Sequence, residues 1–246
     1  MYTRIKPLAA SSEHKTALVQ WTGRNYYKLG QENVTLSRRK FLERTSALTA
    51  ASLAFAAMPS VALAQSYSEA DLNKAGPLSE KVLGDADAPV TVIEYASLTC
   101  GHCANFHNTT FKEIEKKYID TGKVRFIFRE FPLDTVAAAG FMLARCAPED
   151  KYYDIVGLMF AQQRNWAFTN DPYSALLNLG KQIGFTEDAV KACLTNQEIL
   201  DGVTKVRDYG SEKLGVDSTP TFFINGEKVS GALSIEEFSK YVDKNL

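Results

Sequence analysis

The stretch that decides the fold reads Val90-Thr91-Val92-Ile93-Glu94-Tyr95-Ala96-Ser97-Leu98-Thr99-Cys100-Gly101-His102-Cys103. Its first residues are mostly apolar and β-branched, which predicts a buried strand. A helix is predicted to begin at Cys100 and to run to about Tyr118. Residues spaced by three and four form one inward stripe of that helix: Cys103, Phe106, Thr110, Ile114 and Tyr118. The sequence therefore predicts a strand that leads into a helix, with a pair of cysteines at the turn.

The Cys-x-x-Cys pair has the arrangement that thiol–disulfide exchange requires. The thiolate is the nucleophile, and the free N–H groups and the dipole at a helix N-terminus stabilise it. Cys100 occupies that end, so we expect its pKa to lie below that of a free thiol, whereas Cys103 on the buried stripe is the resolving partner. Gly101 lets the turn form without a clash, and His102 places an imidazole beside the thiolate. Because a stabilised thiolate stabilises the reduced form, an oxidising or intermediate potential is predicted.

Other polar residues have competing interpretations. Cys-x-x-Cys also occurs in zinc sites, but zinc commonly needs four ligands, and Cys146 and Cys193 are isolated in the sequence. Glu94 lies in an apolar strand, where a carboxyl group is costly unless it is paired or protonated. We expect it to exchange a proton with Cys103, with a lysine partner as the alternative. His107 is interpreted as a helix-surface histidine, with a role near the active site as the alternative.

After this helix the chain returns to strand and then becomes helical. Alternating apolar and basic residues over Val124–Arg129 predict a half-buried strand. Apolar residues then recur at helical spacing in four segments, Val136–Cys146, Tyr152–Gln162, Tyr173–Ile183 and Ala189–Leu194. The order of elements predicts an α/β fold carrying an all-helical insertion, within one domain.

The C-terminal end of the chain returns to strand character. Apolar residues on both sides of Asn225-Gly226 predict a hairpin of two strands. Ser234 and Glu237 form a capping box for a final helix. Thr219-Pro220 precedes the hairpin, and because proline cannot donate to a sheet ladder, it belongs at the first residue or edge of a strand. Its imide bond is a candidate cis peptide.

Three separated segments resemble the DsbA family of bacterial periplasmic disulfide oxidoreductases. They are Glu94–His107, Arg129-Glu130-Phe131-Pro132-Leu133-Asp134 and Val216-Asp217-Ser218-Thr219-Pro220-Thr221-Phe222-Phe223. The resemblance covers roughly residues 76–246 and implies a thioredoxin-like domain at 65–133 and 216–246, interrupted by a helical insertion at 134–215. It also implies a cis peptide at Thr219-Pro220 beside the Cys100 sulfur, where an extended substrate peptide pairs with backbone. Glu94 matches the buried acid of the family.

The sequence departs from the family pattern at its active-site spacer and at Thr219. The Gly-His spacer replaces the better-known Pro-His, and Thr219 stands where many members carry valine. Its hydroxyl is placed to hydrogen-bond a cysteine sulfur. Cys146 and Cys193 both fall on predicted helices of the insertion, where they either pair or remain two buried thiols. Some relatives are described as having a second disulfide in this region, so the resemblance implies a structural bridge.

The N-terminal region has the layout of an export signal. Ser37-Arg38-Arg39-Lys40-Phe41-Leu42 precedes an apolar run, and Val61-Ala62-Leu63-Ala64 ends it with a small-x-small cleavage pattern. Residues 37–64 are therefore predicted to be a cleavable signal peptide, and the paired arginines resemble a twin-arginine address, with the Sec route as the alternative. Residues 1–36 carry no recognisable motif, and we hypothesise that translation begins near Val34.

Composition narrows the classes of function. The chain is 45% apolar and 23% charged, as expected of a globular protein. Residues 1–64 carry nine basic and three acidic side chains, which leaves 19 basic and 26 acidic in the remainder. A body this acidic, without a basic cluster, argues against a nucleic-acid partner.

These observations predict a periplasmic dithiol oxidase that acts on reduced or unfolded exported proteins and needs no cofactor. The resemblance suggests a quinone-linked membrane oxidase as the partner that reoxidises it. One alternative is an isomerase or reductase kept reduced by a membrane electron donor. Such isomerases usually dimerise through an added domain, and the 25 residues from Gln65 to Pro89 are too few for one, so a monomer is expected, with a short helical oligomerisation segment as the alternative. The other alternative is a thioredoxin-fold metal-binding or copper-delivery protein.

Overall fold

The computed structural model describes residues 67–74 and 76–246. A mixed sheet of five strands runs through this part of the chain in the order β1-β3-β2-β4-β5. The strands are β1 (Lys81–Leu83), β2 (Val90–Ala96), β3 (Val124–Glu130), β4 (Thr221–Ile224) and β5 (Glu227–Ser230). The predicted extension, the start near Val34 and the signal peptide lie outside the described residues.

Strand pairing places β2 at the centre of the sheet, between β3 and β4. β2 and β3 run parallel, and the other neighbouring pairs are antiparallel. A parallel pair needs a crossover connection, which the helical segment after β2 supplies. The strands predicted around Val90, Val124 and Asn225 are all observed, whereas β1 was not predicted, because three residues are too short to show a periodic pattern.

β3 is buried more deeply than its sequence pattern predicts. The basic residues of the alternation were expected on a solvent-facing side, but Arg129 is only 2% exposed. Its guanidinium donates to the Tyr95 hydroxyl at 3.0 Å, the Leu72 carbonyl at 2.7 Å and the Glu80 carboxylate at 2.5 Å. The prediction of a half-buried strand is therefore wrong at Arg129, because these acceptors replace water around the charge.

The two faces of the sheet pack against different helices. On one face Val92 and Ala96 join the larger core with the helix that follows β2. On the other face Ile93 and Tyr95 contact α1 (Glu69–Leu72) and the long helix α9 (Gln197–Leu214). Gly210 allows the α9 backbone to approach the sheet, since a Cβ there would lie 2.6 Å from the Tyr95 ring.

The helix predicted from Cys100 to Tyr118 is divided. It forms α2 (Gly101–Asn108), α3 (Thr110–Ile114) and one π-helical turn at Glu115–Ile119. Thr109 separates the first two segments with φ −122° and ψ −82°, outside the helical region. The predicted stripe is still buried along its whole length, from Cys103 to Tyr118.

Helices occupy the chain between β3 and β4. They are α4 (Thr135–Arg145), a 3₁₀ turn at Glu149–Lys151, α5 (Tyr152–Ala161), α6 (Gln163–Trp166), α7 (Pro172–Gln182), α8 (Glu187–Leu194) and α9. Every residue of this interval is described, and none of them lies in a strand. α9 was not among the four predicted segments, because glycines at two of its buried positions weaken the apolar pattern.

The C-terminal hairpin and final helix agree with their sequence signals. Asn225 and Gly226 adopt positive φ angles of 44° and 89° between β4 and β5. α10 (Ile235–Asp243) begins with the Ser234–Glu237 capping box, in which side chains and backbone N–H groups bond reciprocally.

A disulfide links two helices of the segment between β3 and β4. Cys146 follows the last residue of α4 and Cys193 lies near the end of α8, and their Cα atoms are 6.0 Å apart. This bond closes a loop across the helical segment, with a sequence separation of 47 residues. Among the described residues, no helix is both long enough and apolar enough to span a bilayer.

Candidate active site

The paired cysteines lie where β2 passes into α2. Cys100 is the N-cap residue of α2, with extended φ and ψ angles of −82° and 120°. Its side chain is a free thiol in a residue that is 8% exposed, whereas the free thiol of Cys103 is wholly buried. The two sulfurs therefore differ in access, and Cys100 is the one that an incoming sulfur can reach.

The surroundings of Cys100 favour its thiolate. A hydrogen bond from the Cys103 side chain is the largest cause, and together with donors from the Thr219 side chain and the N–H groups of Cys103 and His102 it outweighs burial. The pKa of Cys100 is lowered to about 5. His102 acts here through its backbone N–H, and its imidazole is exposed.

Cys103 titrates in the opposite direction. Burial raises its pKa well above the ordinary value, and the hydrogen bond with Cys100 and the charge of Glu94 raise it further. One sulfur is therefore ionised near neutral pH while its partner holds its proton. This asymmetry is what an attacking and a resolving thiol need.

The loop before β4 lies against the reactive sulfur. The Thr219-Pro220 peptide is cis, and the Cys100 thiol donates to the Thr219 carbonyl oxygen at 3.2 Å. That carbonyl favours the protonated thiol, whereas the Thr219 hydroxyl favours the thiolate, as a donor to it. Together, the hydrogen-bond donors around the sulfur outweigh the Thr219 carbonyl, and the pKa of Cys100 is lowered. β4 holds this loop in place because Thr221 pairs with Tyr95 of β2.

Glu94 pairs with His107, a residue that the sequence analysis placed on the helix surface. His107 is 5% exposed rather than on the helix surface, and its Nε2 lies 2.8 Å from Glu94 Oε2. The imidazole stacks on the Phe160 ring with centroids 4.4 Å apart. The other oxygen of Glu94, Oε1, is buried and has no hydrogen-bond partner among the described residues. The alternative of a lysine partner is therefore also wrong.

The spacing of His107 contained a signal for this pairing. His107 follows Cys103 by four residues, so both side chains lie on one face of α2. The stripe predicted from Cys103 and Phe106 passes through this face. What the sequence did not reveal is the aromatic neighbour from α5, which lies 53 positions further along the chain. When this aromatic neighbour is not known, a histidine on a short helix is expected to be exposed.

We expect His107→Phe to lower the free energy of unfolding by about 3 kcal/mol, because it leaves the Glu94 carboxylate buried without a partner. Glu94→Leu combined with His107→Phe should cost at most about 1 kcal/mol, since both polar groups are then removed. Urea unfolding of the two single variants and the double variant measures this coupling. Costs that simply add would show that the two side chains are not coupled. His102→Phe, at an exposed position of α2, is the matched control and should change stability by less than about 0.5 kcal/mol.

Two side chains from the segment between β3 and β4 hold the turn before Cys100, and sequence reasoning did not identify either. Asp134 accepts a hydrogen bond from the Thr99 hydroxyl at 2.7 Å and also caps α4 through the Ala137 N–H. Gln163 donates to the carbonyl oxygens of this turn. Both contacts join residues that are far apart in the sequence. Among the described residues, no group of three or more His, Cys, Asp or Glu side chains has the geometry of a metal site.

Comparison with known proteins places these features in a family. A family model described as Thioredoxin matches residues 78–244. A protein of Rickettsia conorii named as a protein-disulfide oxidoreductase is 34% identical over 169 residues, covering 68% of this chain and 61% of that protein. Disulfide bond formation protein D of Bacillus subtilis is 27% identical over 175 residues, covering 68% of this chain and 77% of that protein.

The crystal structure of alpha-DsbA1 from Wolbachia pipientis is the deciding comparison. It is 35% identical in sequence, with a TM-score of 0.64, and the match covers 68% of this chain and 92% of that one. The chain belongs to the DsbA family of thioredoxin-like proteins. The predicted fold class, a thioredoxin-like fold interrupted by helices, is thereby confirmed. The match spans about three fifths of the length of the Rickettsia protein-disulfide oxidoreductases, 61% in R. conorii.

Proposed function

We propose that this protein is a thiol–disulfide oxidoreductase that introduces disulfides into exported proteins. The observation that carries the proposal is the contrast between the two cysteines of the DsbA-like site. Cys100 is reachable and has a pKa of about 5, whereas Cys103 is buried with a raised pKa. A sulfur of this kind is a good leaving group, and its stabilised thiolate makes the Cys100–Cys103 disulfide an oxidant.

The reaction starts from the Cys100–Cys103 disulfide. A substrate thiolate attacks the Cys100 sulfur, forms a mixed disulfide and displaces the Cys103 thiolate, which takes up a proton. A second substrate thiolate then attacks the substrate sulfur of the mixed disulfide and displaces Cys100 as a thiolate. The substrate loses two electrons and gains a disulfide, and the enzyme is left as a dithiol.

Glu94 is proposed to exchange the proton of Cys103. Its wholly buried carboxylate raises the pKa of Cys103, so the two groups interact, and its Oε1 is not engaged by another described residue. When Cys103 leaves as a thiolate, the Glu94 carboxyl group passes it the proton that it takes up. In the reverse direction the carboxylate removes it.

The loop at Thr219-Pro220 is proposed to receive the substrate chain. The resemblance to the DsbA family implies that an extended peptide pairs with the backbone beside the reactive sulfur. The Thr219 carbonyl oxygen lies 3.2 Å from Cys100 Sγ. The Thr219 hydroxyl is proposed to tune the potential through its hydrogen bond to the thiolate. The His102 imidazole, which is exposed, is proposed to add positive charge at the mouth of the site.

The predicted export signal and the family support a proposal for the cellular setting. We propose a monomer in the periplasm, delivered by the signal at residues 37–64. We also propose a thioredoxin-like domain formed by residues 65–133 and 216–246, with residues 134–215 as the insertion. Reduced exported proteins are its substrates, and a quinone-linked membrane oxidase restores the disulfide. The helical insertion is proposed to carry the Cys146–Cys193 bond as a structural bridge.

The potential of the Cys100–Cys103 pair tests this function. We expect a value closer to that of protein disulfide isomerase, about −180 mV, than to that of thioredoxin, about −270 mV. The pair should be mostly oxidised in cells, and the protein should oxidise a dithiol peptide in vitro. A mostly reduced pair in cells would identify an isomerase or reductase instead. A protein that binds copper through both thiols and does not oxidise the peptide would be a metal carrier.

A further inference from the structure

Gln163 connects the helical segment to the reactive cysteine. It is the first residue of α6 and is 7% exposed. Its carboxamide nitrogen donates to the carbonyl oxygen of Leu98 at 2.8 Å and to that of Cys100 at 2.9 Å. A glutamine amide has two N–H donors, and here both go to backbone acceptors of the same turn. A buried amide placed in this way fixes the path of the backbone that it bonds.

The carbonyl oxygen of Cys100 accepts the first hydrogen bond of α2. As the N-cap residue, Cys100 directs its carbonyl into the first hydrogen bond of α2, which it accepts from the Ala104 N–H at 3.1 Å. Gln163 is a second donor to the same oxygen. The φ and ψ angles of Cys100 also decide where its sulfur points. Holding the carbonyl therefore holds the sulfur relative to the N–H groups of His102 and Cys103.

α6 itself is held firmly. The Trp166 indole is 1% exposed and donates to the Met159 carbonyl at 2.9 Å, which fixes α6 against the end of α5. Gly140 of α4 lies between the Trp166 and Leu98 side chains, since a Cβ there would be within 2.9 Å of both. The helix that carries Gln163 and the Leu98–Cys100 turn are thus packed into one core.

We propose that Gln163 is a positioning residue, which holds the Leu98–Cys100 turn so that the Cys100 sulfur faces the helix N–H groups and the Thr219 loop. The inference rests on the proposed exchange chemistry at Cys100 and extends it, because it places control of the nucleophile in the helical segment. Gln163 carries no charge, so its effect on the sulfur is geometric. Asp134 supports the same turn from α4 through Thr99.

Gln163→Met removes both donors at nearly constant size and is the direct test in the full-length reduced protein. We expect the pKa of Cys100 to rise by about one unit, so that alkylation at pH 5 slows by about fivefold. Gln162→Met is the matched control. Gln162 is half-buried and contributes to the junction between α5 and α6 through its backbone. Its N–H donates to the Leu158 carbonyl, and its carbonyl accepts from the Asn165 N–H. This control should leave Cys100 unchanged.

A variant that loses stability while Cys100 ionises as in the wild type would overturn the proposal, because Gln163 would then be structural only. If Gln163→Met does not fold, NMR of the wild-type side-chain amide decides. Its protons should exchange slowly with solvent and shift with the same midpoint pH as Cys100. A rapidly exchanging amide that does not titrate overturns the proposal. None of these readouts needs substrate turnover, so a wild type that fails to oxidise a dithiol peptide defeats only the proposed function.

Discussion

Cys100→Ser should abolish thiol–disulfide exchange, and Cys103→Ser should instead leave a protein that accumulates a mixed disulfide on Cys100. Without the attacking sulfur, the rate should fall at least about a thousandfold, to that of the uncatalysed exchange. With Cys103 replaced, Cys100 attacks a peptide disulfide and releases one peptide thiol. No internal sulfur then resolves the linkage. Mass spectrometry after incubation with a peptide disulfide measures both outcomes, with the wild type as the control.

Two variants of Cys103 test why Cys100 is acidic. With a pKa of about 5, Cys100 is about 99% thiolate at pH 7, and its reactivity should fall about tenfold per unit as the pH drops below 5. The Cys103 side chain is the largest cause of this shift. Cys103→Ala should therefore raise the pKa of Cys100, and Cys103→Ser should raise it less, because a hydroxyl can still donate.

Alkylation rates against pH give this comparison directly, since the bonded Cys146 and Cys193 do not react. A pKa of Cys100 that is the same in Cys103→Ala as in the wild type would assign the acidity to the backbone N–H groups and Thr219 alone. Cys100 alkylation that is independent of pH between 4 and 8 would contradict the mechanism itself.

Those parts of the fold that depend on local signals could be predicted from the sequence. The strand before Cys100, the hairpin at Asn225-Gly226 and the capping box at Ser234 each depend on residues within a few positions of one another. Turn geometry and cap hydrogen bonds are satisfied inside such windows. The place of Cys100 at the start of α2 belongs to the same class, and with it the central chemistry of the candidate site.

Contacts between distant segments were beyond local reasoning. His107 looked exposed because the ring that covers it, Phe160, comes from another helix. Arg129 looked solvent-facing because its acceptors belong to segments before β2 and to a tyrosine on the neighbouring strand. A periodic pattern reports the average polarity of a face. It does not reveal that a buried charge has found partners, since those depend on the tertiary packing.

Removing both Cys146 and Cys193 should lower the free energy of unfolding by about 4 kcal/mol, while leaving exchange at Cys100 nearly unchanged. The bond closes a loop with a sequence separation of 47 residues, and in the chain-entropy model its loss returns about that much freedom to the unfolded chain. For a domain of this size the melting temperature should fall by roughly 8 to 16 °C.

Urea unfolding of the Cys146→Ala/Cys193→Ala variant measures the loss, and the double change is needed because a single thiol left behind could attack the Cys100–Cys103 disulfide. A loss below about 1 kcal/mol would show that the helices around α4 and α8 hold together by packing alone. A large fall in exchange rate with intact stability would give the bond a redox role instead. We expect the loss of about 4 kcal/mol with exchange nearly unchanged, because the bond ties the end of α4 to the end of α8 while Gln163 and Asp134 hold the active-site turn from other points of the same segment.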